Sequence, residues 1–213
     1  MAGNQNIAYR ITIFLTLVSV CIVMVDRPLA VFVNNQFASL HKPLQQLLSG
    51  IELVFGFVIT KYLAGFLLLA VALLFYIRDK HWQRASVFLF IGTTHIISRL
   101  LAGILKNVFH RSRPWQFLED RSTPDFFTED GGSFPSGHAA HFFGLFLPLI
   151  FLFPKYKWPL LVLPVFVSLQ RILVNDHYLS DILASVLLVL VLMPLFARLF
   201  NVRSNFSLQA MKL

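Results

Sequence analysis

Long apolar stretches separated by short polar segments dominate the 213-residue chain. A helix that crosses a bilayer needs about 20 apolar residues. Six stretches approach that length, and the pattern predicts a transmembrane helix in each. They are Ile11–Val25, Val54–Ile77, Ala85–Lys106, His138–Phe153, Trp158–Val174 and Leu179–Phe200. The longest polar connection, residues 107–137, separates the third stretch from the fourth.

The segment between the first two stretches has a different pattern. From Pro28 to Leu48, apolar and polar residues alternate at roughly helical spacing, which predicts an interfacial helix; a surface loop is the alternative. The first stretch is followed by Asp26-Arg27-Pro28 and not by a small-residue cleavage site. We therefore expect an uncleaved membrane anchor and not a signal peptide.

Composition supports the same class of protein. Hydrophobic residues make up 57% of the chain and charged residues 13%, whereas a soluble domain has about 25% charged residues. So many apolar residues cannot fit inside one small core. We therefore predict a single integral-membrane domain over residues 1–213, with an all-α fold built as a six-helix transmembrane bundle. With the single Cys21, neither a disulfide nor a cysteine metal cluster is expected.

The charge of +8 fits a membrane protein, because lysine and arginine fix topology and contact anionic lipid. We expect no nucleic-acid partner. The side that carries both termini has nine bases, including Arg10 and Lys212, and the opposite side has eight. The two counts are nearly equal. If some of the eight bases are present for catalysis and not for topology, the side with the termini has the clear excess of bases. Both termini then face the cytoplasm, and residues 107–137 face outward.

Three polar clusters interrupt the apolar pattern. In the first, Lys106 ends the third stretch and Arg113-Pro114 follow after six residues, with His110 and Arg111 between them. A lysine point charge and a planar guanidinium together suit a phosphate group. The alternative is that these bases only extend from a helix end to the membrane surface.

The second cluster, Pro135-Ser136-Gly137-His138, opens the fourth stretch. A helix start attracts anions through its free N–H groups, Gly137 permits close backbone approach, and Ser136 can cap the helix or donate a hydrogen bond. A capped membrane helix explains these features equally well, but it does not require His138.

In the third cluster, five residues separate Arg171 from His177, and three separate His177 from Asp181. On a helix, residues at i and i+4 share a face, so the carboxylate can hold the Nδ1 proton and leave Nε2 as a nucleophile or base. A structural His–Asp pair is the alternative. All three clusters lie at predicted outer ends of helices, so we expect them to meet at one membrane face.

In order and in spacing, these clusters are similar to the three-part signature of the type 2 phosphatidic acid phosphatase superfamily. One departure is Gln170, where members of that family usually have serine before the arginine of the third part. The resemblance implies a bacterial integral-membrane lipid phosphatase, in the inner membrane with its active site facing the periplasm. The implied substrates are undecaprenyl diphosphate, phosphatidylglycerophosphate, phosphatidic acid or a lipid A phosphate.

The resemblance also implies a role for each matching residue. His177 attacks phosphorus and forms a phosphohistidine, Asp181 orients it, and His138 protonates the leaving oxygen. The phosphoryl oxygens are held by Lys106, Arg113, Arg171, Ser136 and Gly137. Three fixed cations can neutralise charge as Mg²⁺ does elsewhere, so we expect no metal or other cofactor.

Two further polar residues lie inside helices. Arg99 is predicted to form a structural pair with Asp181 or Glu52; contact with a second phosphate is the alternative. His141 is expected to be a packed polar residue and not part of the entrance. A lipid phosphotransferase and a non-catalytic lipid-phosphate binding or transport protein remain alternative functions. The apolar stretches argue against a soluble vanadate-dependent oxidase.

Overall fold

The computed structural model describes residues 2–57, 59–78, 80–123 and 125–203. Within these ranges the chain forms helices and no strands, which confirms the prediction of an all-α fold. Asp79 and Lys212, and the side chain of Arg10, which enter the charge count, lie outside the described residues.

The first apolar stretch belongs to a longer helical segment than predicted. Helix α1 (Ala2–Val20) continues through a π-helical turn (Cys21–Val25) into α2 (Asp26–Phe37). A 3₁₀ turn (Ala38–Leu40) then leads into α3 (His41–Val54). The segment after Asp26 is therefore helical, as its periodicity predicted, and not a loop.

The remaining α-helices follow in chain order, and each of the later predicted stretches falls on one of them. They are α4 (Leu63–Arg78), α5 (Trp82–Phe109), the short α6 (Pro114–Glu119), α7 (Gly137–Leu152), α8 (Lys157–Leu173) and α9 (Leu179–Leu199), with a 3₁₀ turn at Pro154–Tyr156. The predicted start of the second stretch at Val54 is wrong. Turns separate α3 from α4, and Gly56 adopts a φ of +71°, which a helix cannot accommodate.

Helix α5 forms the centre of the bundle. It packs against α4, α7 and α9, while α1 packs on α9 and α8 packs on α7. Aromatic and aliphatic side chains such as Phe90, Leu152 and Val87 fill the space between α5, α7 and α9. At Gly144 a Cβ atom would lie 2.5 Å from Ser98 Oγ, so glycine allows α5 and α7 to approach closely.

The outer surface of the bundle is apolar. More than half of the surface of each of Leu15, Leu74, Val162 and Leu195 is exposed, as expected for side chains that face lipid. Among the described residues, three helical runs are long and apolar enough to cross a bilayer: Ile11–Val54, Trp82–Glu119 and Leu179–Leu199. Helices α4 and α7 are apolar but have only 16 residues each. The chain is an integral membrane protein.

Candidate active site

The three polar clusters meet at one end of the bundle. Lys106, near the end of α5, donates from Nζ to the carbonyl oxygens of Gly132 and Ser133, which precede the second cluster. The backbone N–H of Ser136 donates to the carbonyl oxygen of Asp181 over 3.1 Å. These hydrogen bonds join the first cluster to the second and the second to the third.

Backbone turns at the helix ends create this meeting point. His110 directly follows α5 and Asn175 lies just after α8, and both residues adopt left-handed conformations with φ of 41° and 54°. Asparagine and histidine tolerate this conformation better than most residues. Pro114 then starts α6, where its fixed φ suits the first helical position. Arg113 and His177 are thus placed just beyond helix ends.

His177 and Asp181 form the pair that the i, i+4 spacing predicted. His177 Nδ1 lies 3.2 Å from Asp181 Oδ2, and both side chains are buried. This contact occupies Nδ1 and leaves Nε2 as the available ring nitrogen. Burial lowers the pKa of His177 well below its usual value of 6.5, although the hydrogen bond with Asp181 opposes that effect. The imidazole is therefore neutral at neutral pH, as a nucleophile requires.

Each carboxylate oxygen of Asp181 accepts at least one hydrogen bond. Its Oδ2 accepts from the backbone N–H of Tyr178 over 2.9 Å and also from the hydroxyl of Ser133, while Oδ1 accepts from Arg111 Nη1 over 2.7 Å. The bond to Tyr178 is the return contact of a capping box at the start of α9. The same carboxylate therefore starts a helix and fixes the imidazole of His177.

Arg111 bridges two buried carboxylates, an arrangement that the sequence analysis did not identify. Its Nη2 donates to Asp26 Oδ2 over 2.8 Å, and neither side chain is exposed. Ser180 also donates to Asp26 from its hydroxyl and, over 3.2 Å, from its backbone N–H. Asp26 directly follows the π turn, a feature that often marks functional sites. One sequence signal could have identified Asp26, because an acidic residue next to an apolar helical run is costly and often functional.

His138 has a carboxylate partner that was also missed. His138 Nε2 lies 2.6 Å from Oε1 of Glu52, on α3, and the Phe57 ring stacks on the imidazole with centroids 5.1 Å apart. A neighbouring carboxylate stabilises the protonated imidazole relative to an unpartnered ring. The two histidines of the signature therefore have different carboxylate partners, Glu52 for His138 and Asp181 for His177.

Arg113 and Arg171 converge on one carboxylate, that of Asp176. Arg113 Nη1 donates to Asp176 Oδ1 over 2.5 Å, and Arg171 forms an ion pair with Oδ2 of the same group. Two guanidinium groups on the two oxygens of one anion match the arrangement that a phosphoryl group would require. Asp176 was not identified from the sequence.

The other predicted residues have clear structural contacts. Ser136 is buried and its hydroxyl accepts from the backbone N–H of Ala139 over 3.4 Å, so it caps α7. Gly137 lies against the guanidinium of Arg99. The predicted pairing of Arg99 with a carboxylate is wrong among the described residues, because Glu52 contacts His138 and Asp181 contacts Arg111.

His141 is a packed polar residue, as expected. It is fully buried, and its Nδ1 lies 2.8 Å from His95 Nε2 and 3.2 Å from the carbonyl oxygen of Lys61. These contacts hold α7 against α5 and against the turn before α4.

Comparison with known proteins places this geometry in a family. Residues 87–204, more than half of the chain, match the sequence profile of the PAP2 superfamily. The lipid A 1-phosphatase of Rhizobium etli is 34% identical over 107 residues, which cover 48% of this chain and 44% of that protein. The lipid A 1-phosphatase of Rhizobium johnstonii is 34% identical over 95 residues, covering 43% and 38%.

These matches therefore span less than half of either relative. No solved structure matches significantly. The profile match includes the three polar clusters and the helices that carry them, and the resemblance drawn from those clusters is confirmed. The chain belongs to the PAP2 superfamily, the type 2 phosphatidic acid phosphatases.

Proposed function

We propose that the protein is a metal-independent lipid phosphatase that works through a phosphohistidine. The observation that carries this proposal is the buried His177–Asp181 pair, 3.2 Å apart, beside two arginines that already hold one carboxylate. A neutral imidazole oriented by a carboxylate is a nucleophile, and fixed guanidinium groups neutralise the charge of a phosphoryl group. Family membership supports the same reaction class.

The proposed reaction has two steps. In the first, His177 Nε2 attacks phosphorus, the bond from phosphorus to the lipid oxygen breaks, and His138 gives its proton to that oxygen. In the second, water attacks the phosphohistidine while His138 accepts a proton, and inorganic phosphate and neutral His177 are released. Asp181 holds the imidazole of His177 throughout.

The proposed phosphate cradle contains Lys106, Arg113, Arg171, Ser136 and Gly137. Lys106 and the two arginines supply positive charge, and the backbone at the start of α7 supplies N–H donors. In the free protein Lys106 contacts carbonyl oxygens. A phosphate group offers it a charged acceptor instead.

Lipid A 1-phosphate is the first substrate to test, because both relatives are named for that activity. Undecaprenyl diphosphate, phosphatidylglycerophosphate and phosphatidic acid are the other members of the proposed substrate class. We propose the bacterial inner membrane as the location, with the site on the periplasmic side and both termini in the cytoplasm. In this proposal Lys106, Arg113 and Arg171 are present for catalysis, so they do not count as topology signals. The remaining basic residues are then more numerous on the side of the termini, which supports a cytoplasmic location for that side.

A phosphate-release assay on the purified protein tests the proposal. We expect the wild-type protein in detergent to release inorganic phosphate from at least one of these four lipids in the presence of EDTA. Fixed cations supply the charge that Mg²⁺ supplies elsewhere, so chelation should leave the rate unchanged. Release that requires added Mg²⁺, or no release from any lipid phosphate, contradicts the proposed function.

Asp176→Asn is expected to strengthen phosphate binding. The carboxylate of Asp176 occupies both Arg113 and Arg171, so an incoming phosphoryl group has to displace it. Removing the competing charge should lower the inhibition constant of vanadate, a phosphate analogue, about tenfold, which corresponds to about 1.4 kcal/mol. Asp120→Asn, a change to an exposed loop carboxylate, is the matched control. Weaker vanadate inhibition in Asp176→Asn would contradict this competition.

A further inference from the structure

Arg99 is a cation of the site, and no described residue supplies it with a counter-charge. It lies on α5, about two turns before Lys106. Its Nε and Nη1 are buried and have no hydrogen-bond partner in the described part of the chain. A guanidinium without a partner is costly to bury, because it gives up hydration and gains no hydrogen bond in return.

The carboxylates of the site that the structure describes all have other partners. Glu52 contacts His138, and Asp181 contacts Arg111. Asp176 contacts Arg113 and Arg171. An anion that satisfies Arg99 would therefore come from outside the described part of the protein.

Arg99 lies beside the residue proposed to protonate the leaving group. A Cβ atom at Gly137 would be 3.0 Å from Arg99 Cζ and Nη1, so the guanidinium packs directly against the backbone next to His138. The charge of Arg99 also acts on His138 and on Lys106. Arg113 and Arg171, in contrast, hold Asp176, the residue next to His177.

We propose that Arg99 binds an anionic oxygen on the leaving-group side of the substrate, namely a phosphate that stays on the lipid when the terminal phosphoryl group is transferred. This inference rests on the proposed function. A guanidinium offers a planar set of donors that matches a phosphate. When the bond between the two phosphates of a lipid diphosphate breaks, the departing phosphate gains negative charge, which an adjacent cation stabilises.

A lipid monophosphate does not need this contact. Its leaving oxygen receives a proton from His138 and carries no second phosphate. Arg99 therefore sets the preference of the site between diphosphate and monophosphate substrates, while Lys106, Arg113 and Arg171 serve both.

Farnesyl diphosphate and farnesyl monophosphate, which share one lipid chain, test this role. We expect Arg99→Gln to lower kcat/KM for the diphosphate about 100-fold, the effect of removing one charge-stabilising donor, and for the monophosphate by less than about threefold. Arg99→Lys, which keeps the charge without the planar fork, should recover part of the diphosphate activity. Arg121→Gln, at an exposed arginine on the loop after α6, is the control and should leave both substrates unchanged.

A second variant covers the case in which Arg99→Gln does not fold. Arg99→Met keeps a long unbranched side chain beside the Gly137 backbone and removes the buried charge, and an apolar replacement of a buried charge is often tolerated. The same selective loss on the diphosphate is expected. Equal losses on both substrates, or no loss on either, overturn the role of Arg99. If the wild-type protein hydrolyses neither compound, nor any other lipid phosphate, the proposed function itself fails.

Discussion

Replacement of His177 by alanine is expected to abolish phosphate release and covalent labelling together. His177 is the buried imidazole whose Nδ1 contacts Asp181, and no other side chain takes over its Nε2 in the proposed reaction. Loss of a catalytic nucleophile lowers kcat by about 10⁴-fold or more. The measurements are release of inorganic phosphate and retention of ³²P on the protein after a brief exposure to labelled substrate.

The labelled bond should also have the chemistry of a phosphohistidine. We expect the label on the wild-type protein to be lost in acid and to survive in base, as a phosphoramidate does. His81→Ala is the control, because His81 is exposed and lies just before α5, outside the site. Turnover by His177→Ala at the wild-type rate, or a label that resists acid, would remove His177 as the nucleophile.

Arg111→Met is expected to cause the largest loss of stability. The substitution leaves Asp26 and Asp181 buried without their shared cation, and breaking a buried ion pair costs about 3–5 kcal/mol. We expect a much lower denaturation midpoint in detergent and, in any protein that still folds, a loss of turnover because Oδ1 of Asp181 loses its guanidinium partner. Thermal denaturation followed by circular dichroism measures the first effect.

Two variants separate this network from a general effect of removing charge. Arg113→Met removes an arginine whose side chain is 31% exposed, so it should reduce activity with little change in the denaturation midpoint. Asp26→Asn keeps the pair of Arg111 and Asp181 and should cost less stability than Arg111→Met. If Arg111→Met unfolds at the wild-type temperature, the bridge between the two carboxylates does not stabilise the bundle.

The sequence predicts those parts of the molecule whose determinants are local. Apolar stretches form helices because backbone groups in lipid need partners within the same segment, and the predicted all-α fold follows from that. The contact of His177 with Asp181 is local, because Asp181 forms a capping box at the start of α9 and His177 lies just before that helix. The cap at Ser136 follows from the residues just after it. Each of these depends on fewer than about five neighbouring residues.

The parts that were missed depend on contacts between distant residues. Asp26 lies 85 positions before Arg111, and Glu52 lies 86 positions before His138. Neither separation leaves a period or a motif in the chain. The error for Arg99 has the same origin, because Glu52 and Asp181, the carboxylates predicted to pair with it, contact His138 and Arg111 instead. The break before α4 includes Gly56, which has a positive φ. The sequence did not predict this break, because Gly56 lies among apolar residues that resemble a continuous helix.

The positions of Asp26 and Glu52 in the chain affect the design of chimeras between this protein and its relatives. Both acids lie upstream of residues 87–204, the region shared with the PAP2 superfamily, yet they hold Arg111 and His138 inside that region. A chimera that joins this shared region to foreign N-terminal helices therefore loses two supports of the site, however well the foreign helices insert. Chimeras that restore acids at both positions should regain these contacts, so the first 54 residues supply two contacts to the proposed active site as well as a membrane anchor.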